Sequence, residues 1–201
     1  MNSRISAVHY CLPPRRLTNE ELAARFGEKT VASISRMSGI MERRVAPQGV
    51  TAADLAVCAA ERLLLEKKIE REAVDLLIFA TQTSDYQIPA TSCIIQDRLK
   101  LKQSCASFDI NLGCSAYPYF LAVAHGMLTS GVARTALILN ADTISHVLHP
   151  KDKSLVTLHG DAAAATLLET TNAGHEGFLG FHFGTDGAGA KHIQIPASGT
   201  R

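Results

Sequence analysis

Cys114 has the sequence surroundings that best suit nucleophilic chemistry. It follows residues 107–112, in which polar and apolar side chains alternate, and precedes residues 115–130, whose apolar side chains recur at helical spacing. The pattern predicts a strand, a tight turn and a helix, with Cys114 at or near the helix N-terminus. Free backbone N–H groups and the helix dipole there would lower the thiol pKa from about 8.5 toward neutrality and would hold the oxyanion of an attacked thioester. The same geometry is equally consistent with a small buried cysteine at a turn.

The remaining cysteines show no pattern of a metal or redox site. They are Cys11, Cys58, Cys93 and Cys105, and no two of the five cysteines form the Cys-x-x-Cys pair that zinc sites usually use. We therefore expect no metal and no redox cofactor, and we expect most of these thiols to be reduced, buried and inert.

Histidines are the second residue type with possible chemistry, and eight are present. A lone histidine usually has a surface or structural role, and we apply that interpretation to seven of the eight. For His159 it is also the favoured interpretation, with a role in a binding site as the alternative. His146 and His149 lie beside Lys151 and Lys153. This basic segment either meets a phosphate at a substrate entrance or forms a solvated loop.

Composition excludes several classes of protein. The chain has 201 residues, 46% of them hydrophobic, which is enough for one packed core, and the length suggests one or two domains. We treat residues 1–201 as one domain. Its 20 basic and 19 acidic residues nearly cancel, which argues against nucleic-acid binding. No apolar stretch approaches the ~20 residues of a membrane span, and no secretory signal is visible. We expect a soluble, cytosolic protein.

The elements that would position Cys114 alternate between strand and helix. Two capping patterns, Thr18 with Glu21 and Thr51 with Asp54, predict helix starts, the second of a helix over residues 51–68. Apolar runs predict strands covered on both faces. The remaining predicted elements are strands at 5–12, 74–81, 107–112, 135–141 and 162–168 and helices at 90–100 and 115–130. This order predicts an α/β class with a layered, mainly parallel sheet.

The segment around Cys114 also carries a family resemblance. Residues 109–117 (Asp-Ile-Asn-Leu-Gly-Cys-Ser-Ala-Tyr) resemble the active-site segment of the 3-oxoacyl-[acyl-carrier-protein] synthase III family. Four further segments resemble family motifs in the same order: residues 38–44 (Ser-Gly-Ile-Met-Glu-Arg-Arg), 80–81 with 88–91, 159–163 (His-Gly-Asp-Ala-Ala) and 185–187 (Thr-Asp-Gly). The resemblance covers essentially the whole chain.

The resemblance implies a fold, a reaction and partners. The fold would be thiolase-like, a layered α-β-α arrangement built from two similar halves, each with a five-stranded sheet and flanking helices. These 201 residues would be the N-terminal half, which agrees with the glycine-rich, unfinished look of residues 184–201. Cys114 would accept an acyl group from a thioester of coenzyme A or acyl-carrier protein. The full enzyme would condense it with malonyl-carrier protein, using a histidine and an asparagine of the second half.

Further substrate-binding residues follow only from the resemblance. Ile88, Ile144 and His159 would be substrate-binding residues. Ile88 stands where the family has a phenylalanine that closes the acyl pocket from the partner subunit, and His159 stands where a phenylalanine lines the same pocket. Ser33 and Lys153 stand where it has a tryptophan and an arginine that clamp the adenine of coenzyme A. Lysine does not stack as arginine does, so coenzyme A is in doubt as the natural donor. After Cys114-Ser115, the family's usual Gly-Phe is replaced by Ala116-Tyr117.

Two alternatives stay open at this point. In the first, the chain has the same fold but belongs to an enzyme that transfers the acyl group to an oxygen or nitrogen acceptor in secondary metabolism. A non-catalytic half would serve only as a dimerisation partner. For the condensing enzyme and for both alternatives we expect a homodimer that pairs the strand at 107–112 across a two-fold axis, because an alternating strand is typical of a sheet edge.

Overall fold

The computed structural model describes residues 2–172 and 177–196, so residues 197–201 at the end of the glycine-rich segment lie outside the described part. Seven strands and six α-helices are present there, together with three short 3-10 helices. The strands are β1 (Asn2–Cys11), β2 (Arg15–Thr18), β3 (Glu42–Val45), β4 (Leu76–Ala80), β5 (Ala106–Ile110), β6 (Thr135–Asp142) and β7 (Ala162–Thr171). The helices are α1 (Asn19–Phe26), α2 (Glu28–Ser38), α3 (Ala52–Lys67), α4 (Thr91–Arg98), α5 (Ala116–Thr129) and α6 (Lys153–Val156); the 3-10 helices span Arg71–Ala73, Ile144–His146 and Gly187–His192.

Five strands form one sheet in the order β1-β7-β6-β4-β5, and β2 pairs with β3 in a separate two-stranded sheet. The pairings of β4 with β5 and with β6 are parallel, whereas those of β7 with β6 and with β1 are antiparallel. The α/β class with a five-stranded sheet is therefore confirmed, but the sheet is mixed and not mainly parallel. The physical reason lies between β6 and β7, where no long helix carries the chain back across the sheet, so β7 returns beside β6 in the opposite direction.

Helices cover both faces of this sheet. Strand β4 is fully buried, and its side chains alternate between two apolar clusters. Leu77 and Phe79 face the cluster that contains α3, and Leu76 and Ile78 face the cluster of Phe120 on α5. The predicted strand covered on both faces is thus confirmed, and the layers are helix, sheet, helix.

Both predicted capping boxes are present. The Thr18 hydroxyl accepts from the Glu21 N–H at the start of α1, and the Thr51 hydroxyl accepts from the Asp54 N–H at the start of α3. In each case the acidic side chain returns a hydrogen bond to the cap residue, so two otherwise free N–H groups are satisfied. Within the described ranges, no helix is long and apolar enough to cross a membrane.

Candidate active site

The candidate site residues lie on connections at one edge of the sheet. Strands β4, β5 and β6 are parallel, with Ala80 opposite both Ile110 and Asn140, so their carboxyl ends meet there. Cys114 follows β5, Ile144 follows β6, and Ile88 lies on the connection that leaves β4. The start of β7 reaches the same edge, because Ala162 pairs with Asp142. His159 before β7 and Lys153 in α6 therefore belong to this edge as well.

Cys114 is exposed and lies in a tight turn between β5 and α5. The Ala116 N–H donates to the Gly113 carbonyl over 2.9 Å, which closes the turn. Ser115 is the N-cap residue but its side chain makes no capping hydrogen bond. The predicted position of Cys114 beside a helix N-terminus is therefore confirmed, while its role stays a prediction.

Packing of α5 fixes the direction of this turn. Phe120, Ala124 and Leu128 are fully buried against the sheet, and their four-residue spacing places them on one face of the helix. Pro118 in the first turn has no N–H, so this helix start offers fewer backbone donors to an anion than an ordinary one. The donors nearest to Cys114 are consequently the N–H groups of the turn itself and of Tyr117.

The sequence interpretation missed a polar residue that contacts this turn. A methyl group placed on Gly113 would lie 2.9 Å from the Gln82 amide oxygen, so the Gln82 side chain occupies the space beside the residue before Cys114. Asp142 holds Gln82 in place, because its carboxylate accepts from the Gln82 N–H over 2.8 Å and from the Thr83 hydroxyl over 2.8 Å. The sequence signal for this contact is the presence of polar residues at the carboxyl ends of two apolar strands, at 81–83 and at Asp142.

Asp161 connects separate segments of the backbone at this edge of the sheet. It is 2% exposed, and its carboxylate accepts hydrogen bonds from the Ala46 N–H, the Ser145 N–H and the Ser145 hydroxyl over 2.7, 2.9 and 2.6 Å. The backbone before it is equally constrained, since a methyl group on Gly160 would lie 2.9 Å from the Arg44 carbonyl oxygen. The Gly-Asp pair thus joins the segment after β3, the segment after β6 and the start of β7.

The other predicted substrate-binding residues are less enclosed. Ile88 is 88% exposed, Lys153 is exposed and Ile144 is half-buried. The His159 ring lies 3.1 Å from the Leu155 carbonyl oxygen through Nδ1. The described residues bring these side chains to the same edge as Cys114, but they do not enclose Ile88 or Lys153.

All five cysteines are free thiols, and they differ in how far they are buried. Desolvation by burial, together with the neighbouring Cys58 thiol, raises the pKa of Cys11 to about 11. Burial also raises the pKa of Cys105 above its ordinary value. Cys93 and Cys114 are exposed. Among the described residues no group of three or more His, Cys, Asp or Glu side chains is arranged to hold a metal ion.

Comparisons with known proteins agree with the resemblance drawn from the motifs. Residues 108–187 match the family model described as 3-oxoacyl-[acyl-carrier-protein (ACP)] synthase III. A curated beta-ketoacyl-[acyl-carrier-protein] synthase III of Caldanaerobacter subterraneus subsp. tengcongensis is 37% identical over 194 residues, which are 94% of this chain and 56% of that protein.

Solved structures give the same result for the fold. The chain matches a 3-oxoacyl-(acyl-carrier protein) synthase from Burkholderia xenovorans LB400 with a TM-score of 0.92 and 36% identity, over 99% of this chain and 56% of that one. It matches the synthase III from Thermus thermophilus with a TM-score of 0.89 and 32% identity, over 98% of this chain and 60% of that one. The chain therefore spans a little over half the length of the relatives it matches.

Proposed function

Because the chain belongs to the 3-oxoacyl-[acyl-carrier-protein] synthase III family, we propose that it is the acyl-accepting part of a condensing acyltransferase, with Cys114 as the nucleophile. The observation that carries the proposal is an exposed cysteine in a strand–turn–helix connection, inside the segment that matches the family. An exposed thiol beside free backbone N–H groups suits attack on a thioester.

The proposed acylation step exchanges one thioester for another. The Cys114 thiolate attacks the carbonyl carbon of the donor, and N–H groups of the turn stabilise the tetrahedral oxyanion. The bond from that carbon to the donor sulfur then breaks, and the donor thiolate leaves and takes up the proton that Cys114 released. Condensation with malonyl-carrier protein would follow in the full-length enzyme. The proposal needs no metal or redox cofactor.

Carrier protein is favoured as the donor by the two positions at which the family clamps the adenine of coenzyme A. Arg25 at the end of α1 donates to the Pro150 carbonyl over 3.0 Å, so α1, against which α2 packs, lies beside the segment that leads into α6. Ser33 on α2 and Lys153 on α6 are both exposed, and neither has a planar group that stacks on adenine. We therefore propose an acyl thioester of acyl-carrier protein as the natural substrate. A cytosolic location stays a prediction.

The proposal predicts that incubation with an acyl thioester adds one acyl group, at Cys114. Cys11 and Cys105 should stay unmodified at neutral pH because their raised pKa leaves almost no thiolate. Cys93 is exposed like Cys114 and is the matched control. The measurement is mass spectrometry of the intact chain and of its peptides after incubation with acetyl- and butyryl-carrier protein. Acylation that goes equally to Cys93, or to no cysteine, would refute the assignment.

We also propose a homodimer that pairs β5 with its copy. β5 is an edge strand of the five-stranded sheet, so one side of its backbone is open to a second chain. Ile88 supports this arrangement, because its 88% exposure leaves it available to a pocket of the partner chain. The family resemblance implies that role for this position.

Light scattering should therefore give a mass near twice the 21.6 kDa of one chain. A Ser107→Lys change on β5 should shift the protein to monomer, because two lysines would face each other near the two-fold axis. Ser130→Lys, at the exposed end of α5, is the control and should remain dimeric. A monomeric wild type, or a dimer that survives Ser107→Lys, would contradict pairing through β5.

A further inference from the structure

A cleft with a cavity volume of about 550 Å³ lies between β2, α1, the 3-10 helix at 144–146 and the segment before β7. The ionisable side chains that line it are all basic: Arg15, Arg25, His146 and His159. No carboxylate is among the described residues that line it. His149, Lys151 and Lys153, which formed the basic segment recognised in the sequence, are not part of this lining.

The two arginines of the cleft are not neutralised by the protein. Two other arginines, Arg16 and Arg44 on the two-stranded sheet, form ion pairs with Glu42 at 3.5 and 3.7 Å. Arg15 forms no ion pair with any described residue. Arg25 donates to the Pro150 carbonyl and its guanidinium lies over the Phe26 ring, 5.0 Å from the ring centroid. Each guanidinium has five N–H donors, so most of their donors are available to a ligand.

The two histidines present their free ring nitrogens. His146 lies 3.2 Å from the Ala46 carbonyl oxygen through Nε2, and His159 lies 3.1 Å from the Leu155 carbonyl oxygen through Nδ1. A carbonyl oxygen only accepts hydrogen bonds, which assigns the hydrogen to that nitrogen of each ring. The opposite nitrogen of each ring has no protein partner in the described chain; it accepts a hydrogen bond in the neutral imidazole and donates one only in the protonated ring.

The carboxylate of Asp161 does not line the cleft, although it binds two residues that do. Asp161 lies behind Ala46 and Ser145, and its oxygens accept three hydrogen bonds from these two residues. At 2% exposure it is screened from a ligand in the cleft by the groups that it binds. The permanently charged side chains that line the cleft are therefore the two arginines.

Apolar side chains complete the wall. Leu17, Val45, Leu148 and Val156 line the same cleft, whose volume is in the range of small-molecule sites. The two guanidinium groups come from different elements, β2 and α1, and the free histidine nitrogens accept from a phosphate hydroxyl or, in a protonated ring, donate to a phosphate oxygen. This arrangement suits a tetrahedral phosphate with several oxygens better than a planar carboxylate, which one arginine satisfies. We propose that this cleft binds a small phosphate monoester that carries an apolar group. The proposal does not depend on acylation of Cys114.

Calorimetric titration of the full chain with phenyl phosphate at low salt tests this site. We expect saturable binding of one molecule per chain, tighter than that of inorganic phosphate or of benzoate, which share only the anion or only the ring. Arg15→Gln and Arg25→Gln should each weaken binding by about tenfold or more, the usual effect of losing a charge-assisted hydrogen bond. Arg134→Gln, at the amino end of β6 and so at the opposite edge of the sheet, should bind as the wild type does.

Several outcomes would overturn the proposal. They are the absence of saturable binding, binding that both cleft variants retain, an equal loss in Arg134→Gln, and benzoate binding as tight as that of phenyl phosphate. Arg15 and Arg25 are both exposed, so unfolding curves of the variants should match the wild type. That agreement would separate a lost ligand contact from a damaged fold.

Discussion

A Cys114→Ser variant is expected to lose acylation by about 1,000-fold or more, the scale on which enzymes respond to removal of a nucleophile. The hydroxyl differs from the thiol by one atom, but serine is a weak nucleophile at neutral pH unless a base takes its proton. In the described part of the chain no side chain hydrogen-bonds the Cys114 thiol, so no such base is provided. The measurement is the rate of acyl-adduct formation with butyryl-carrier protein, followed by intact mass.

Two controls separate this loss from other effects. Cys93→Ser removes the other exposed thiol and should leave the rate unchanged. The free energy of unfolding of Cys114→Ser should stay within about 0.5 kcal/mol of the wild type, because residue 114 is exposed. A serine variant that is acylated within tenfold of the wild-type rate would show that Cys114 is not the nucleophile.

Local signals in the sequence were enough to predict the elements around Cys114. The capping boxes at Thr18 and Thr51, and the alternation that leads to Gly113, depend on residues within a few positions of one another. The helix face of α5 depends likewise on a three- and four-residue spacing. Hence the turn that holds Cys114 was correctly placed before any long-range contact was known.

Contacts between distant residues were not predictable in the same way. The carboxylate of Asp142 accepts from residues about sixty positions earlier in the chain, and the antiparallel pairing of β7 with β1 joins the last strand of the chain to the first. The apolar run that predicted β7 contains no information on its direction. The cleft has the same origin, because Arg15 and His159 meet only when β2 and the start of β7 are both in place.

Asp161 offers the sharpest test of these long-range contacts. An Asp161→Ala variant should lose about 3 kcal/mol or more of the free energy of unfolding, because it leaves the buried Ala46 N–H and the half-buried Ser145 N–H without an acceptor. Asp161→Asn should also be destabilised, since one carboxylate oxygen becomes an N–H donor that faces these donors. Urea unfolding followed by circular dichroism gives both values.

Asp152 is the matched control for this carboxylate. It also accepts from two backbone N–H groups, those of Ser154 and Leu155 at the start of α6, but its helix has four residues and an exposed surface. Asp152→Ala should cost about 1 kcal/mol, the usual value of an N-cap, because water replaces the lost acceptor. The difference between the two alanine variants measures what burial adds to otherwise similar hydrogen bonds. If both variants lose the same free energy, the Gly-Asp pair does not anchor this edge of the sheet, and the position of His159 must be fixed by other contacts.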